Sequence, residues 1–335
     1  MESAFFNKLL TKAQKNLQKI CFPETNAIRI LQVAEQLIQL NAAIPVLIGK
    51  ESEIRELAAE KQIKLDGAIF YDDSDEELID TIVREYAKID DYLSEKGLRR
   101  KLKSKGGIAA GLVKVGLADA FMSGFEGTTG ETIFNARNII GMQPGINTVS
   151  SLCILEAAGW EGPEGELLCL TDCVVATEPS PEGLADIAIS ACDTMKNMMD
   201  WEPRAAMLSY STCGSGDTDN VLKVVRAVEI ANEKRPDLAI DGEFQLDAAL
   251  LPDVAKKKVH RESKVAGKAN IIVFPDLNAG NIGVKLINLF GGYPVHGALI
   301  AGMKRPCGEL SRSASLEQIV GGCIMLAVAA QGGTR

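Results

Sequence analysis

The sequence predicts an α/β protein in two domains, the first built on a parallel sheet and the second on a mixed one. Three observations carry this. Strand-length apolar runs alternate with amphipathic helical stretches from Lys19 onward. A length of 335 residues exceeds what one small core supports. A composition 46% hydrophobic, 5% aromatic and with 31 glycines suits an α/β enzyme.

Residues 19–24 read as a first strand ending at Pro23, followed by a helix that Asn26 is placed to cap, with Ile28, Leu31, Ala34 and Ile38 recurring every three or four positions. Residues 43–48 form a second strand, which completes a βαβ unit. A helix over 51–62 and a strand over 67–71 repeat the pattern, and a charged helix over 76–89 leads to the basic run from Leu98 to Lys105, read as a solvated helix face or loop, with a site for a small anion as the other reading. None of these strands is followed by G-x-G-x-x-G, so no dinucleotide site is expected. A helix over 108–115 and a buried strand over 117–124 come next. Thr128, Thr129 and Glu131 then spell a capped helix start whose hydroxyls and NH groups suit a phosphate.

The pattern breaks around 142–145, where the domain boundary is expected: domain 1 comprises 1–145 plus 299–335, and domain 2 comprises 146–298. Two apolar runs, 149–155 and 167–175, read as a hairpin and as the first sign of a mixed sheet. A helix over 181–199 packs Leu184, Ile187, Ala191, Met195 and Met198 on one face. A strand over 205–210 leads into Ser211-Thr212-Cys213-Gly214-Ser215-Gly216, a second turn suited to a phosphate or a pantetheine chain. Asp241 and Glu243 lie in a strand over 238–246, where hydrogen bonding to a turn is the expected use of their carboxylates. The segment 267–285 is the stretch around which the chain is organised. Its apolar run 271–274 stops at Pro275, and a Gly/Asn-rich turn opens a helix near Asn281, at the strand end where α/β proteins bind ligands.

The formal charge of −9 excludes a general nucleic-acid binder, which needs clustered positive charge. Eight scattered cysteines without C-x-x-C, and only His260 and His296, argue against structural zinc or a disulfide framework. Lysines interrupt residues 1–25, and the apolar stretch 319–330 is too short to span a bilayer, so a cytoplasmic protein without membrane contact is expected.

Several stretches together resemble the phosphate acetyltransferase, or phosphate acetyl/butyryl transferase, family. They are Phe22-Pro23-Glu24, Met122-Ser123-Gly124, Thr128-Thr129, 207–216, Asp241-Gly242-Glu243, Gly267-Lys268-Ala269-Asn270, 274–283 and Leu310-Ser311-Arg312. The resemblance runs from about residue 20 to near the C-terminus. It implies two three-layer α/β domains with an interdomain active-site cleft, a homodimer, and reversible acetyl transfer between CoA and inorganic phosphate. It implies CoA and acetyl-CoA as substrates, with phosphate and acetyl phosphate, and no permanently bound cofactor. Such chemistry needs a thiol base, a donor for the developing oxyanion and a cation for phosphate. By the family pattern Ser311 stabilises the intermediate and Arg312 grips the phosphate, for which a forked guanidinium suits better than lysine. Cys173 matches a cysteine near the cleft, read as a bystander open to thiol reagents.

Two positions depart from the pattern. The family's aspartate, seven residues after the serine, falls on Gln318, an amide that accepts no proton from a thiol. Glu317 is the adjacent carboxylate; another carboxylate or solvent are the alternatives for the base. The arginine expected after the Thr pair falls on Phe134, with Arg137 one turn on. The expected substrate contacts are therefore Thr128, Thr129, Arg137, Ser211, Thr212, Ser215, Asn281, Gly283 and Lys285, with Cys173 in the cleft and no metal ligands. A butyryl- or propionyl-transferring relative, a non-catalytic CoA or acyl-phosphate binder and an interaction subunit for a partner enzyme are the other readings.

Overall fold

A computed structural model describes residues 3–310 and 314–332, and the chain divides into two compact units, 1–142 with 303–335 and 143–302. In unit 1 the chain runs α1 (Ala4–Gln14), β1 (Lys19–Phe22), α2 (Ile28–Gln39), β2 (Ile44–Ile48), α3 (Glu51–Glu60), β3 (Ile69–Tyr71), α4 (Glu76–Ile89), α5 (Glu95–Lys101), α6 (Lys105–Lys114), β4 (Ala120–Ser123) and α7 (Thr129–Asn135), which continues as a π turn over Ala136–Ile140. Unit 2 contains β5 (Ser150–Glu156), β6 (Leu167–Thr171), α8 (Pro181–Met199), β7 (Arg204–Leu208), α9 (Asp219–Lys234), β8 (Ala239–Phe244), α10 (Leu246–Leu250), α11 (Pro252–Lys258), β9 (Ile271–Val273), α12 (Leu277–Gly291) and β10 (Val295–Ala301). The chain then returns to unit 1 as β11 (Cys307–Glu309) and α13 (Leu316–Gln331).

Unit 1 has the strand order β3-β2-β1-β4-β11, parallel throughout. Its strands are buried on both faces, which is why Ile20, Cys21, Phe22, Leu47 and Phe121 read as continuous apolar runs. From β1 the chain winds one way to β2 and β3, whereas β4 and β11 lie on the other side. The strand order therefore reverses between β1 and β4, and the loops leaving their carboxyl ends diverge around a crevice. Helices α6 and α13 both pack on these strands, and α6, rich in Gly and Ala, is buried over most of its length.

Unit 2 is mixed, as its hairpin predicts. Strands β10, β5 and β6 pair antiparallel in that order, and β6-β9-β7-β8 continue in parallel. Leu155, Leu170, Ala206, Phe244 and Ile272 form its core beside the half-buried Phe274 and Val284.

Several expectations shift. Asn26 does not cap α2; Ala27 occupies that position with no side-chain bond, so the helix is held by its apolar face. Helix α12 begins at Leu277 rather than near Asn281, because the Asp276 carboxylate accepts from Ala279 N at 3.0 Å and starts the helix at once. The predicted return to domain 1 at 299 falls inside β10, whose ladder with β5 keeps it in unit 2, and the units part at Met303. The strand predicted over 167–175 ends at Thr171, where the Asp172 side chain turns back to its own loop.

Within α12, Gly280 is buried, and a Cβ there would stand 2.1 Å from the Asp172 carbonyl oxygen. Backbone cannot rotate away as a side chain would, so Gly280→Ala should cost on the order of 1–3 kcal/mol or more. At Gly283 the nearest atom is a Phe274 ring carbon at 3.5 Å, an ordinary contact. Gly283→Ala should be neutral or stabilising by up to about 1 kcal/mol through helix propensity. Thermal denaturation of the two variants checks the contrast.

Candidate active site

The loop after β4 is the most strongly determined part of unit 1. Gly124 takes φ +105°, a conformation open to glycine, and four successive amides then point at one carboxylate. Gly124 N donates to Glu24 at 3.1 Å, Phe125 N at 2.9 Å, Glu126 N at 2.9 Å and Gly127 N at 2.8 Å. Glu24 leaves β1 just after Pro23, so the two strand ends on either side of the order reversal are tied by an internal anion in an amide nest.

Thr128 closes α7 as predicted, with Glu131 N donating to its hydroxyl at 3.2 Å and Thr128 N donating to the Glu131 carboxylate at 3.0 Å. The groups expected to meet a phosphate also have partners within the chain: Gly127 N faces Glu24, and Thr128 and Glu131 bond each other. Thr129 donates its hydroxyl to Glu309 at 2.6 Å. Burial pushes the Glu309 carboxyl above the usual glutamate range, the Thr129 bond pulls it down, and the Glu24 charge adds to the rise.

Ser311 and Arg312 lie outside the described residues. They follow β11 in sequence, and Leu310 N donates to Ser123 O at 2.9 Å, so the chain up to Leu310 is anchored beside the end of β4. Beyond them, Ser315 and Gln318 form a second capping box: Gln318 N donates to the Ser315 hydroxyl at 3.2 Å, and Ser315 N donates to the Gln318 carbonyl oxygen at 2.9 Å. Gln318 is thus a helix-start residue. Glu317, one position before it, is exposed in the first turn of α13.

In unit 2 the second turn of α12, at Asn281, meets the loop after β6. Asn281 Nδ2 donates to Cys173 O at 3.1 Å, and the Asp172 carboxylate accepts from Val174 N at 2.9 Å, Val175 N at 3.2 Å, Ala176 N at 2.6 Å and the Ser151 hydroxyl. Cys173 is 2% exposed, and a hydrogen bond with Cys153 together with burial pushes its thiol far above the usual range. Its predicted openness to thiol reagents is corrected: a buried thiol held protonated is a poor nucleophile. Gly283 is half-buried against Phe274, and Lys285 is exposed on α12.

The hydroxyls of the turn after β7 are likewise engaged within the protein. Ser211 donates to Glu243 at 2.7 Å and accepts from Gly216 N at 2.9 Å; Ser215 accepts from Thr212 N at 3.0 Å; Thr212 accepts from Gln245 N at 2.9 Å. Glu243, 3% exposed, holds this turn, the structural use expected of it.

A pocket of about 680 Å³ opens at the strand-order reversal of unit 1, lined among others by Glu24, Ser123, Gly127, Lys101, Lys105 and Phe134. Arg137 is exposed in the π turn and is absent from that lining. The sequence reading allowed this basic run a small anion but favoured a solvated face and did not single out Lys101 and Lys105, because a basic run carries no sign of which of its cations turn inward. The alternation of Lys101 with the buried Leu98 and Leu102 was the available signal.

The fold and these strand-end loops define an α/β protein with a candidate ligand crevice at the carboxyl ends of a parallel sheet. A family model described as Phosphate acetyl/butaryl transferase matches residues 4–328, and the chain belongs to that family. It is 35% identical over 334 residues to a phosphate acetyltransferase of Acetivibrio thermocellus, with 98% of each chain covered, and 37% identical over 302 residues to one of Bacillus subtilis, covering 90% of this chain and 91% of the relative. A crystal structure of a phosphotransacetylase from Streptococcus pyogenes superposes with a TM-score of 0.87 at 32% identity, covering 99% of both chains.

A carboxyl whose pKa rises on folding stabilises the fold below the unfolded glutamate value of about 4.3 and loses that contribution as pH rises through the folded value. Glu309→Gln, which cannot ionise, should therefore match the wild type in melting temperature near about pH 4 and exceed it increasingly towards about pH 8. A difference that stays constant across this range would remove burial as the cause.

Proposed function

We propose that the chain is a phosphate acetyltransferase, moving an acetyl group reversibly between CoA and inorganic phosphate. The observation that carries this is family membership along nearly the whole chain, including Leu310-Ser311-Arg312. The CoA thiolate attacks the carbonyl carbon of acetyl phosphate, the C–S bond forms, the bond from that carbon to the bridging oxygen breaks, and phosphate leaves with that oxygen and the electron pair. Ser311 donates to the oxyanion that develops on the carbonyl oxygen, and Arg312 holds the phosphate through its fork of N–H groups. Gln318 spends its amide on the helix start, so the thiol proton passes to Glu317 or to water; a CoA thiol is already ionised to a few per cent, on the order of a free cysteine. Arg137 and Lys285, both exposed cations, suit further contacts with the anionic substrates.

The thioester absorbance formed from acetyl phosphate and CoA tests this. The parent should turn over, and Ser311→Ala and Arg312→Ala should each lower kcat/KM on the order of 10²-fold or more. Full activity in both variants would discard the assignment of those two residues, and an inactive parent that still binds CoA would select the non-catalytic reading.

We further propose a homodimer in a reducing, cytoplasmic setting, in which all eight cysteines are free thiols. Support for the dimer comes from α12, whose Ile282, Leu286, Leu289 and Phe290 are 56, 51, 74 and 84% exposed at spacings that align them on one face. Such a stripe is on the order of the several hundred Å² that each partner buries in a stable symmetric pair. Among the described residues no helix is long and apolar enough to cross a membrane. Light scattering after gel filtration should give twice the chain mass for the parent and a single chain mass for Leu289→Asp with Phe290→Asp.

A further inference from the structure

Moving an acetyl group onto a thiol sets a proton free, and at neutral pH only a few per cent of such a thiol, on the order of a free cysteine, is ionised before it reacts. A carboxylate beside the crevice of unit 1 speeds that step if one of its oxygens is open to the proton. Two carboxylates of the pocket lining are engaged: Glu24 by the amides of Gly124 to Gly127, and Glu131 by the Thr128 cap. Glu317 is exposed in the first turn of α13.

Glu309 differs from all three. It ends β11, which runs parallel to β4 with Glu309 opposite Ser123, and Ser123 lines the pocket at the strand-order reversal. Thr129 Oγ1 donates to Glu309 Oε1 at 2.6 Å, and among the described residues Oε2 has no hydrogen-bond or ion-pair partner. The side chain is half-buried, open to water yet absent from the lining that a substrate meets. Ser311 follows two residues on in the sequence, and two residues of chain span at most about 7 Å. Burial raises the Glu309 carboxyl above the usual glutamate range, the Thr129 bond draws it down, and the charge of Glu24, beyond the end of β1, raises it further. A carboxylate made more basic in this way lies closer to a thiol in proton affinity, which favours the transfer.

We propose that Glu309 is the proton acceptor of the acyl-transfer step, taking through one water the proton that the CoA thiol gives up and returning it to the departing phosphate. This rests on the acetyl-transfer reading above and names the group behind the water in it. The S–H bond breaks, water receives that proton and passes one of its own to Oε2, and the electron pair stays on sulfur. The thiolate then attacks the acetyl phosphate dianion, the C–S bond forms, and the bond from the carbonyl carbon to the bridging oxygen breaks. As it breaks, Oε2–H gives its proton back through water to the phosphate, which leaves as the hydrogen phosphate dianion. Glu309 ends the cycle charged, as it began.

The test follows thioester formation from acetyl phosphate and CoA, from about pH 5 to the thiol value of about 8.5, in the parent, Glu309→Gln, Glu309→Asp and Thr129→Val. Glu309→Gln still accepts from Thr129 but takes up no proton, and should lower kcat at neutral pH on the order of 10²-fold with both KM values held. Its deficit should shrink as pH rises towards the thiol value, where the thiolate forms unaided. Because burial disfavours the charged carboxylate, this variant should melt no lower than the parent at neutral pH, which separates lost rate from lost fold. Glu309→Asp, which keeps a carboxylate, should recover part of the rate. Thr129→Val removes the bond that draws the Glu309 carboxyl down, so the fall in rate on acidification should set in at a higher pH than in the parent. A deficit in Glu309→Gln that is the same at every pH marks a structural role and overturns the proposal. Full activity of that variant at neutral pH overturns it while leaving acetyl transfer by the parent intact, and so does an acid limb in Thr129→Val that coincides with the parent's. A parent that forms no thioester at any pH ends the acetyl-transfer reading itself, and this one with it.

Discussion

Carboxylates buried in amide nests hold the strand-end loops of both units in shape. Glu24 takes the amides after β4, Asp172 those after β6, and Glu243 the Ser211 hydroxyl and Gly214 N after β7. Each loop leaves a parallel strand with its N–H groups converging, a geometry that must meet an acceptor or bear the cost of unpaired buried donors. By supplying the acceptor from within, the chain keeps these loops formed whether or not a substrate is present. Helix α12 then docks on one of them through the bond from Asn281 to the Cys173 carbonyl, and Gly280 allows the approach because it has no Cβ.

Much of this was legible in the residues and some was not, and the division has a physical cause. The Thr128 capping box, the β5–β6 hairpin and the parallel run from β1 to β3 depend on neighbours in sequence, and the pattern displays them. Strands β10 and β11 escaped because Val295–Ala301 and Cys307–Glu309 owe their state to partners far away along the chain. Helix α12 was begun too late, since Asn278 and Gly280 read as turn formers while the Asp276 cap was overlooked. The hydroxyls at Ser211 and Ser215 have the composition of a ligand cradle, and only the folded arrangement reveals that Ser211 is held by Glu243 and that Ser215 accepts from Thr212 N. Of the candidate site, Ser311 and Arg312 are visible through family likeness alone. The inward turn of Lys101 needed coordinates, because a basic run looks the same whichever of its side chains are drawn towards a crevice.

Charge is distributed with the same economy. The chain carries a net charge of −9, yet the pocket at the β1–β4 reversal is lined in part by Arg100, Lys101 and Lys105, while Glu24 in the same lining is engaged by four amides.

The start of α13 is closed by two neutral side chains, Ser315 and Gln318, whereas α7 uses Thr128 with an acid, Glu131. An amide carries no charge at any pH a protein meets, so the entry to α13 is held by neutral hydrogen bonds alone, whereas the entry to α7 adds a full negative charge to the positive end of a helix.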